Sequence, residues 1–152
     1  MDEIELLAAV RDEAAGARTV EECAQRITDL IRTNTRHRWV GIYRVGATEV
    51  VNLAWSGPAA PRHLAFAIGA GLTASAVATR ATVVSNDVSR DPRYLTNQDS
   101  TGSELIVPIV VATTVVGTLD IEDAARNAFS AADQAFFERL ATALAPAYIL
   151  QA

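Results

Sequence analysis

Two apolar segments in the second half of this 152-residue chain constrain its fold most strongly. Residues 105–111 and 115–121 are rich in aliphatic side chains, and only Ala112-Thr113-Thr114 separates them. A connection this short cannot hold a crossover, so the segments are predicted to be neighbouring antiparallel strands that are buried on at least one face. Residues 39–45 and 50–55 predict a second hairpin, because they are short and rich in β-branched and aromatic residues.

Segments with helical periodicity precede, separate and follow these predicted strands. Thr19, followed three residues later by Glu22, has the spacing of a capping box at a helix start. An antiparallel sheet with helices packed on one face accommodates the whole order, so an α+β fold is predicted, with the second and last helices as the covering layer. The remaining predicted elements are helices over residues 2–15, 20–33 and 72–80 and from Ser130 onward, and short strands over residues 64–68 and 82–85.

The first predicted helix, residues 2–15, carries an apolar stripe that needs a covering surface. Ile4, Leu7, Val10 and Ala14 recur at helical spacing along it. We expect this stripe to be buried against a second subunit, and therefore predict a homodimer formed through helices.

Composition narrows the classes of partner. The chain is long enough for one domain, residues 1–152, and 50% of it is hydrophobic. Its net charge of −5 comes without a basic run, so nucleic acid is not an expected partner. Because no apolar stretch approaches about 18 residues and the N-terminus lacks a basic export signal, we expect a cytoplasmic protein without a membrane partner.

Cys23 is the single cysteine, which excludes an internal disulfide and a multi-cysteine metal site. It lies on the apolar stripe of the second predicted helix, where a small thiol is expected to pack rather than react. No cofactor and no metal site is predicted.

Three carboxylates interrupt the apolar strand sequence. Asp120 and Glu122 are two residues apart and therefore project to the same face of their strand, and Glu104 opens the other strand of the hairpin. Acids this close repel each other and lose hydration if they are covered, so they favour a proton, a cation or donors from a ligand. A binding site is one interpretation; the other is that the acids mark wet strand ends. A divalent cation is chemically possible, but the spacing defines no coordination geometry.

Two aromatic residues are a second candidate part of a binding site. Trp39, Gly41 and Tyr43 lie on one face of their predicted strand, and the glycine leaves space between the two rings. Such rings could hold a methyl group or a cation. Alternatively, they fill the core.

Residues 86–122 resemble the GAF domain, a small ligand-binding module. The resemblance rests on three motifs: Asn86-Asp-Val-Ser-Arg-Asp-Pro-Arg-Tyr94, Ser103-Glu-Leu-Ile-Val-Pro108 and Val116-Gly-Thr-Leu-Asp-Ile-Glu122. It implies a GAF-like sheet whose long loop, residues 86–102, covers a pocket. Size and motifs are similar to the stand-alone free methionine-R-sulfoxide reductases, which implies ligand contacts from five residues: Trp39, Tyr43, Glu104, Asp120 and Glu122, the last being Glu where those enzymes favour Asp.

This chain differs from those reductases at the positions of their cysteine thiols. Counting from the matching motifs, the cysteine positions of those reductases correspond to His63, Thr73 and Asn97. Thiol-based sulfoxide reduction needs an attacking thiolate and a resolving thiol, so it is disfavoured in this chain.

The expected function is therefore a non-catalytic domain that binds or senses a polar or cationic small molecule. Two alternatives stay open: a diverged reductase-like enzyme, and an interaction domain whose pocket is filled by its own side chains. His63, on a turn-rich connector, is either solvated, a ligand contact, a haem ligand or a group that titrates near neutrality.

Overall fold

The computed structural model describes residues 1–149. Four α-helices, six β-strands and two short 3₁₀ turns, Val88–Arg90 and Ala145–Tyr148, are formed within them. In chain order the elements are α1 (Glu3–Gly16), α2 (Val20–Thr35), β1 (Trp39–Val45), β2 (Glu49–Ser56), β3 (Ala65–Ala67), α3 (Gly71–Thr79), β4 (Val83–Ser85), β5 (Ser103–Val111), β6 (Thr114–Asp123) and α4 (Ala131–Leu144).

The six strands form one antiparallel sheet in the order β3-β2-β1-β6-β5-β4. Both predicted hairpins are confirmed as β1–β2 and β5–β6. The pairing of β1 with β6 joins the two hairpins at the centre of the sheet. The predicted α+β architecture is therefore confirmed.

One face of the sheet carries the main core. Ile42, Leu105, Leu119 and Ile121 are fully buried there. Helix α2 packs on β1 and β2, and α4 packs on β5, so the second and last helices form the predicted covering layer. Side chains that alternate along the central strands thus divide cleanly between this core and the opposite face.

Helix α1 lies on α4 and α2 rather than on the sheet. Its buried side chains are Leu6, Val10 and Ala14, whereas Ile4 is 80% exposed. Helices of the same chain therefore cover Val10 and Ala14 of the predicted stripe, whereas Leu7 is half-buried and Ile4 is exposed, and the homodimer stays a prediction.

Helix starts follow two different mechanisms. Ser130 and Asp133 form a capping box at α4, as Asp2 and Glu5 do at α1. The capping box predicted at Thr19 is wrong, because its side chain makes no cap hydrogen bond. Glu22 instead accepts from the backbone N–H of Arg18, which satisfies a donor outside the helix.

The opposite face of the sheet is covered by α3 and by the predicted long loop. Leu72 and Ala76 of α3 pack against Ile106 of β5. Loop residues 86–102 run across the same side, and their Leu95 contacts the start of α3 at Gly71. Within residues 1–149, no helix is both long and apolar enough to cross a membrane.

Candidate functional site

Strand register brings the predicted acidic and aromatic residues to the face under α3. Glu104 of β5 lies opposite Glu122 of β6. On the other side of β6, Trp39 lies opposite Glu122, and Gly41 lies opposite Asp120. Residues directly opposite one another, or two apart on one strand, share a face, so three adjacent strands contribute to one site.

The three carboxylates are buried. Glu104 is 6% exposed, Asp120 is 5% and Glu122 is 1%. The ion pairs formed within residues 1–149 all use other carboxylates. The acids therefore face one another without a cationic side chain in salt-bridge contact.

Burial and mutual repulsion keep protons on this group. Burial raises the pKa of Asp120 to about 8, the Thr118 side chain opposes the rise, and the charge of Glu122 adds to it. For Glu104, burial and the charges of Glu122 and Asp120 raise the pKa well above its ordinary value. Burial also raises the pKa of Glu122, although hydrogen bonds from Asn97 and Thr101 oppose the rise. A bound cation would favour the ionised forms and release protons.

A narrow cavity of about 30 Å³ lies over these acids. Tyr43 and Phe66 form its aromatic wall, with ring centroids 5.9 Å apart in an edge-on arrangement. The full lining comprises Tyr43, His63, Phe66, Gly71, Leu72, Thr73, Leu95, Asn97, Glu104, Asp120 and Glu122.

Trp39 lies behind this wall rather than in the lining. Its indole is fully buried, and its Nε1–H donates to the carbonyl of Ala59 at 3.1 Å. The ring lies over Gly41, where an added Cβ would be only 2.4 Å from it. The space that Gly41 leaves is thus filled by Trp39, which supports Tyr43 at a centroid distance of 6.5 Å. Contact of Trp39 with a ligand stays a prediction.

Loop residues 86–102 close the cavity through Glu122. The Thr101 hydroxyl donates to this carboxylate at 2.7 Å, the Tyr94 hydroxyl donates at 3.3 Å, and the Asn97 amide is a third donor. Leu95 and Asn97 line the cavity. The loop therefore satisfies Glu122 with the kind of donors that a ligand would offer.

Asp120 lacks such donors. Its Oδ1 is buried and has no hydrogen-bond partner within residues 1–149, and neither does the Thr118 hydroxyl oxygen on the same strand. The Thr118 hydroxyl lies two residues away on the same face and lowers the pKa of Asp120, but it makes no well-formed hydrogen bond to Oδ1. A buried acceptor without such a bond costs about 1–3 kcal/mol. At Asp120 the open acceptor lines the cavity.

The three positions that the sequence matched to reductase thiols all line this cavity, as His63, Thr73 and Asn97. Their convergence supports the residue correspondence, and it leaves the cavity without a thiol. Phe66 and Leu95 were missed as lining residues, because an apolar residue in a short strand or a loop carries no sequence signal for a pocket.

Cys23 lies on the other side of the sheet, in the core beneath α2. It is fully buried, its thiol donates to the Val20 carbonyl at 3.5 Å, and burial raises its pKa. Its predicted packing location is confirmed. Across residues 1–149, no group of three or more His, Cys, Asp or Glu side chains is arranged to hold a metal ion.

Comparison with known proteins gives a family match described as the GAF domain, over residues 17–147. The free methionine-R-sulfoxide reductase of Saccharomyces cerevisiae is 30% identical over 107 residues, which is 68% of this chain but only 58% of the yeast protein.

Solved structures show the same fold in proteins of different kinds. Free methionine-R-sulfoxide reductase from Neisseria meningitidis, in complex with its substrate, superimposes with a TM-score of 0.87 at 24% identity, over 96% of this chain and 87% of that one. The GAF domain of an Acinetobacter phosphoenolpyruvate-protein phosphotransferase gives 0.85 at 18% identity, over 97% and 94%. At these identities the likeness establishes the fold alone.

Proposed function

This chain belongs to the GAF domain family, and on that premise we propose that it is a non-catalytic domain that binds and senses a small polar or cationic metabolite. The metabolite lies on the face of the sheet that carries Glu104, Asp120 and Glu122. Tyr43 forms its aromatic wall, with Trp39 behind it, and the loop of residues 86–102 covers it.

The unpartnered Oδ1 of Asp120 is the observation that carries this proposal. Burying three carboxyl groups together costs stability, because each loses hydration and the charges repel. A positively charged or hydrogen-bond-donating ligand offsets that cost directly. Asp120 lines a cavity, and its Oδ1 accepts no well-formed hydrogen bond from the protein, the neighbouring Thr118 hydroxyl included, so a ligand group is the partner that fits it.

The absence of thiols from the lining argues against reductase chemistry. His63, Thr73 and Asn97 stand at the positions matched to the reductase cysteines, and none can form a sulfur intermediate. Cys23 is separated from the cavity by the sheet. The domain therefore has the acidic cavity that the resemblance implies, without the thiols that would turn over a sulfoxide.

Ligand entry requires the loop to move. A cavity of about 30 Å³ exceeds the ~10–15 Å³ that a single water needs, and it is small beside an apolar cavity of ~150 Å³ that takes up benzene. A metabolite of amino-acid size therefore displaces the donors of residues 94–101 from Glu122. The ligand takes over their hydrogen bonds, which couples its binding to loop position.

Thermal-shift and calorimetric titrations with free amino acids, aliphatic amines and methionine-R-sulfoxide test the proposal. We expect at least one cationic or donor-bearing probe to bind wild type, and Asp120→Asn to weaken it by about tenfold or more, since a buried charged contact is lost. Asp12→Asn, an exposed change on α1, is the matched control and should bind as wild type does.

Two outcomes favour the alternatives. Thiol-dependent turnover of free methionine-R-sulfoxide by the purified protein would favour the reductase-like enzyme. Binding of none of the probes would favour an interaction domain whose own side chains fill the pocket.

A further inference from the structure

The cavity over the three acids also has apolar lining, which comes from other elements of the fold. The acids lie on β5 and β6. Leu72 of α3, Leu95 of the covering loop and Phe66 of β3 line the same cavity. One ligand is therefore offered both carboxyl oxygens and apolar surface.

Asp120 and Glu104 are the carboxyl groups that remain available to a ligand. Asp120 is 5% exposed, and its Oδ1 accepts no well-formed hydrogen bond within residues 1–149. Glu104 lines the same cavity, and the ion pairs of the described chain do not use it. Glu122, in contrast, already accepts from three side chains of the loop. A positively charged N–H donor satisfies the open acceptor of Asp120 and offsets the repulsion between the acids.

The lining is poorly suited to a carboxylate on the ligand. Among its residues, all within 1–149, there is no arginine, and the chain contains no lysine. His63, which is half-buried, is the lining side chain that can become cationic by taking up a proton. A ligand carboxylate would therefore meet three acids and no permanent positive charge.

Leu95 and Gly71 close the apolar part of the cavity. Gly71 has a φ of +72°, and the Leu95 Cβ is 3.1 Å from the position that a Cβ on Gly71 would occupy. The leucine thus packs where the glycine leaves space. The closed cavity of about 30 Å³ has room for about two non-hydrogen atoms, since one water needs ~10–15 Å³. A longer ligand therefore has to displace Leu95 from Gly71.

We propose that the pocket is selective for a primary alkylammonium ion, whose ammonium group donates to Asp120 and Glu104. Its short carbon chain packs on Phe66, Leu72 and Leu95. This inference rests on the proposed function and names the ligand class of the same site. Zwitterions are disfavoured by the acids, and quaternary cations are disfavoured because they have no N–H group for the open acceptor of Asp120.

Calorimetric titrations at constant ionic strength test the charge and the donors. n-Propylammonium is compared with its N,N,N-trimethyl derivative, which has no N–H, and with 3-aminopropanoate, in which a carboxylate replaces the terminal methyl. We expect n-propylammonium to bind at least tenfold more tightly than either compound. It should also bind more tightly than methylammonium, by up to about tenfold, because two further methylene groups are buried.

Substitution at Leu95 tests the position of the carbon chain. Leu95→Ala removes the side chain that packs on Gly71, so it should raise the affinity for n-pentylammonium relative to methylammonium by about fivefold or more. Leu95→Met keeps the volume of the side chain and should keep the wild-type ratio. Leu64→Ala, at a position that is 60% exposed on the neighbouring connector, is the matched control. The melting temperature of each variant identifies any loss of folding.

The outcomes separate this inference from the proposed function. If the trimethyl derivative or 3-aminopropanoate binds as tightly as n-propylammonium, the primary-amine assignment is overturned while a pocket for a polar or cationic ligand stands. An affinity that does not depend on chain length, or an unchanged pentyl-to-methyl ratio in Leu95→Ala, overturns the proposed contacts of the carbon chain. If no alkylammonium ion binds but a free amino acid does, the assignment is overturned and the proposed function stands. If neither binds, both proposals fail.

Discussion

At the scale of single residues, burial gives the carboxyl groups of Glu104, Asp120 and Glu122 properties that they would lack at the surface. Asp120 and Glu122 were predicted to share a face from strand alternation alone, and the register supports this by pairing Gly41 and Trp39 with them. Glu104 joins them only through the β5–β6 register. Each acid is less costly when protonated or partnered, so the stability of the folded protein is expected to depend on pH and on the proposed ligand.

A stability difference that depends on pH follows for Asp120. Its pKa is about 8 in the folded protein, against 3.8 for an ordinary Asp such as that of the unfolded chain. Between these two pH values the folded state therefore binds more protons than the unfolded state. The contribution of Asp120 to stability is therefore fully present below pH 3.8 and is lost as the pH rises towards 8. Asp120→Asn should remove this loss and stabilise the ligand-free protein at pH 8 by about 1 kcal/mol or more, or roughly 2–4 °C in Tm.

Melting curves of wild type and Asp120→Asn from pH 5 to pH 8 measure this effect. The advantage of the variant should grow across that range, whereas Asp12→Asn should run parallel to wild type. An advantage that is constant or shrinks with rising pH would contradict the assigned pKa direction.

At the scale of elements, the covering loop is held from two sides. On the sheet side, Glu122 accepts hydrogen bonds from Tyr94, Asn97 and Thr101 of the loop. On the side of the β2–β3 connector, the Gln98 amide donates to the Ala60 carbonyl at 2.8 Å and to the Ala59 carbonyl at 3.3 Å. Arg62 also pairs with Asp99, but both side chains are at least half exposed. The connector between β2 and β3 is thus the second support of the loop of residues 86–102.

The two side contacts should differ in strength. Gln98→Ala removes two hydrogen bonds, of about 0.5–1.5 kcal/mol each, and should raise amide hydrogen exchange over residues 94–101 by up to about tenfold. Asp99→Asn removes only an exposed ion pair, worth about 0–1 kcal/mol, and should change exchange less. Equal protection in wild type and Gln98→Ala would show that the Gln98 hydrogen bonds do not hold the loop.

At the scale of the whole molecule, helix α1 decides whether the first residues belong to the fold or to an interface. The family match begins at residue 17, one residue after α1 ends. Nevertheless Leu6 and Val10 of α1 are almost completely buried by helices of the same chain. The homodimer and the cytoplasmic location stay predictions, and the residues of α1 that are buried within the chain do not argue for the dimer.

Leu6→Ala tests the intrachain role of α1. Leu6 is 1% exposed, and truncating a core leucine costs about 2–5 kcal/mol, so the variant should unfold at lower denaturant concentration. Ile4→Ala, at a position that is 80% exposed, is the control and should change stability by less than about 0.5 kcal/mol. The molar mass of both variants is measured by light scattering. A drop in mass with unchanged monomer stability in Leu6→Ala would instead assign the helix to a subunit interface.

The sequence alone determined the elements and the faces of their side chains. Apolar runs and helical periodicity located both hairpins and the covering helices, because these patterns are local and have fixed periods. The helix start after Thr19 was predicted correctly, but its capping box was not, since Glu22 accepts from the backbone N–H of Arg18 and Thr19 makes no side-chain cap.

Only the tertiary structure decided which side chains meet. Strand register placed Glu104 opposite Glu122, loop closure brought Asn97 and Thr101 to the same carboxylate, and the packing of α3 turned Thr73 towards the acids. Trp39 was expected to line the pocket, but it lies behind Tyr43, because its ring occupies the space over Gly41. These contacts join residues that are far apart in the chain, so they depend on the packing of the whole domain rather than on any local pattern.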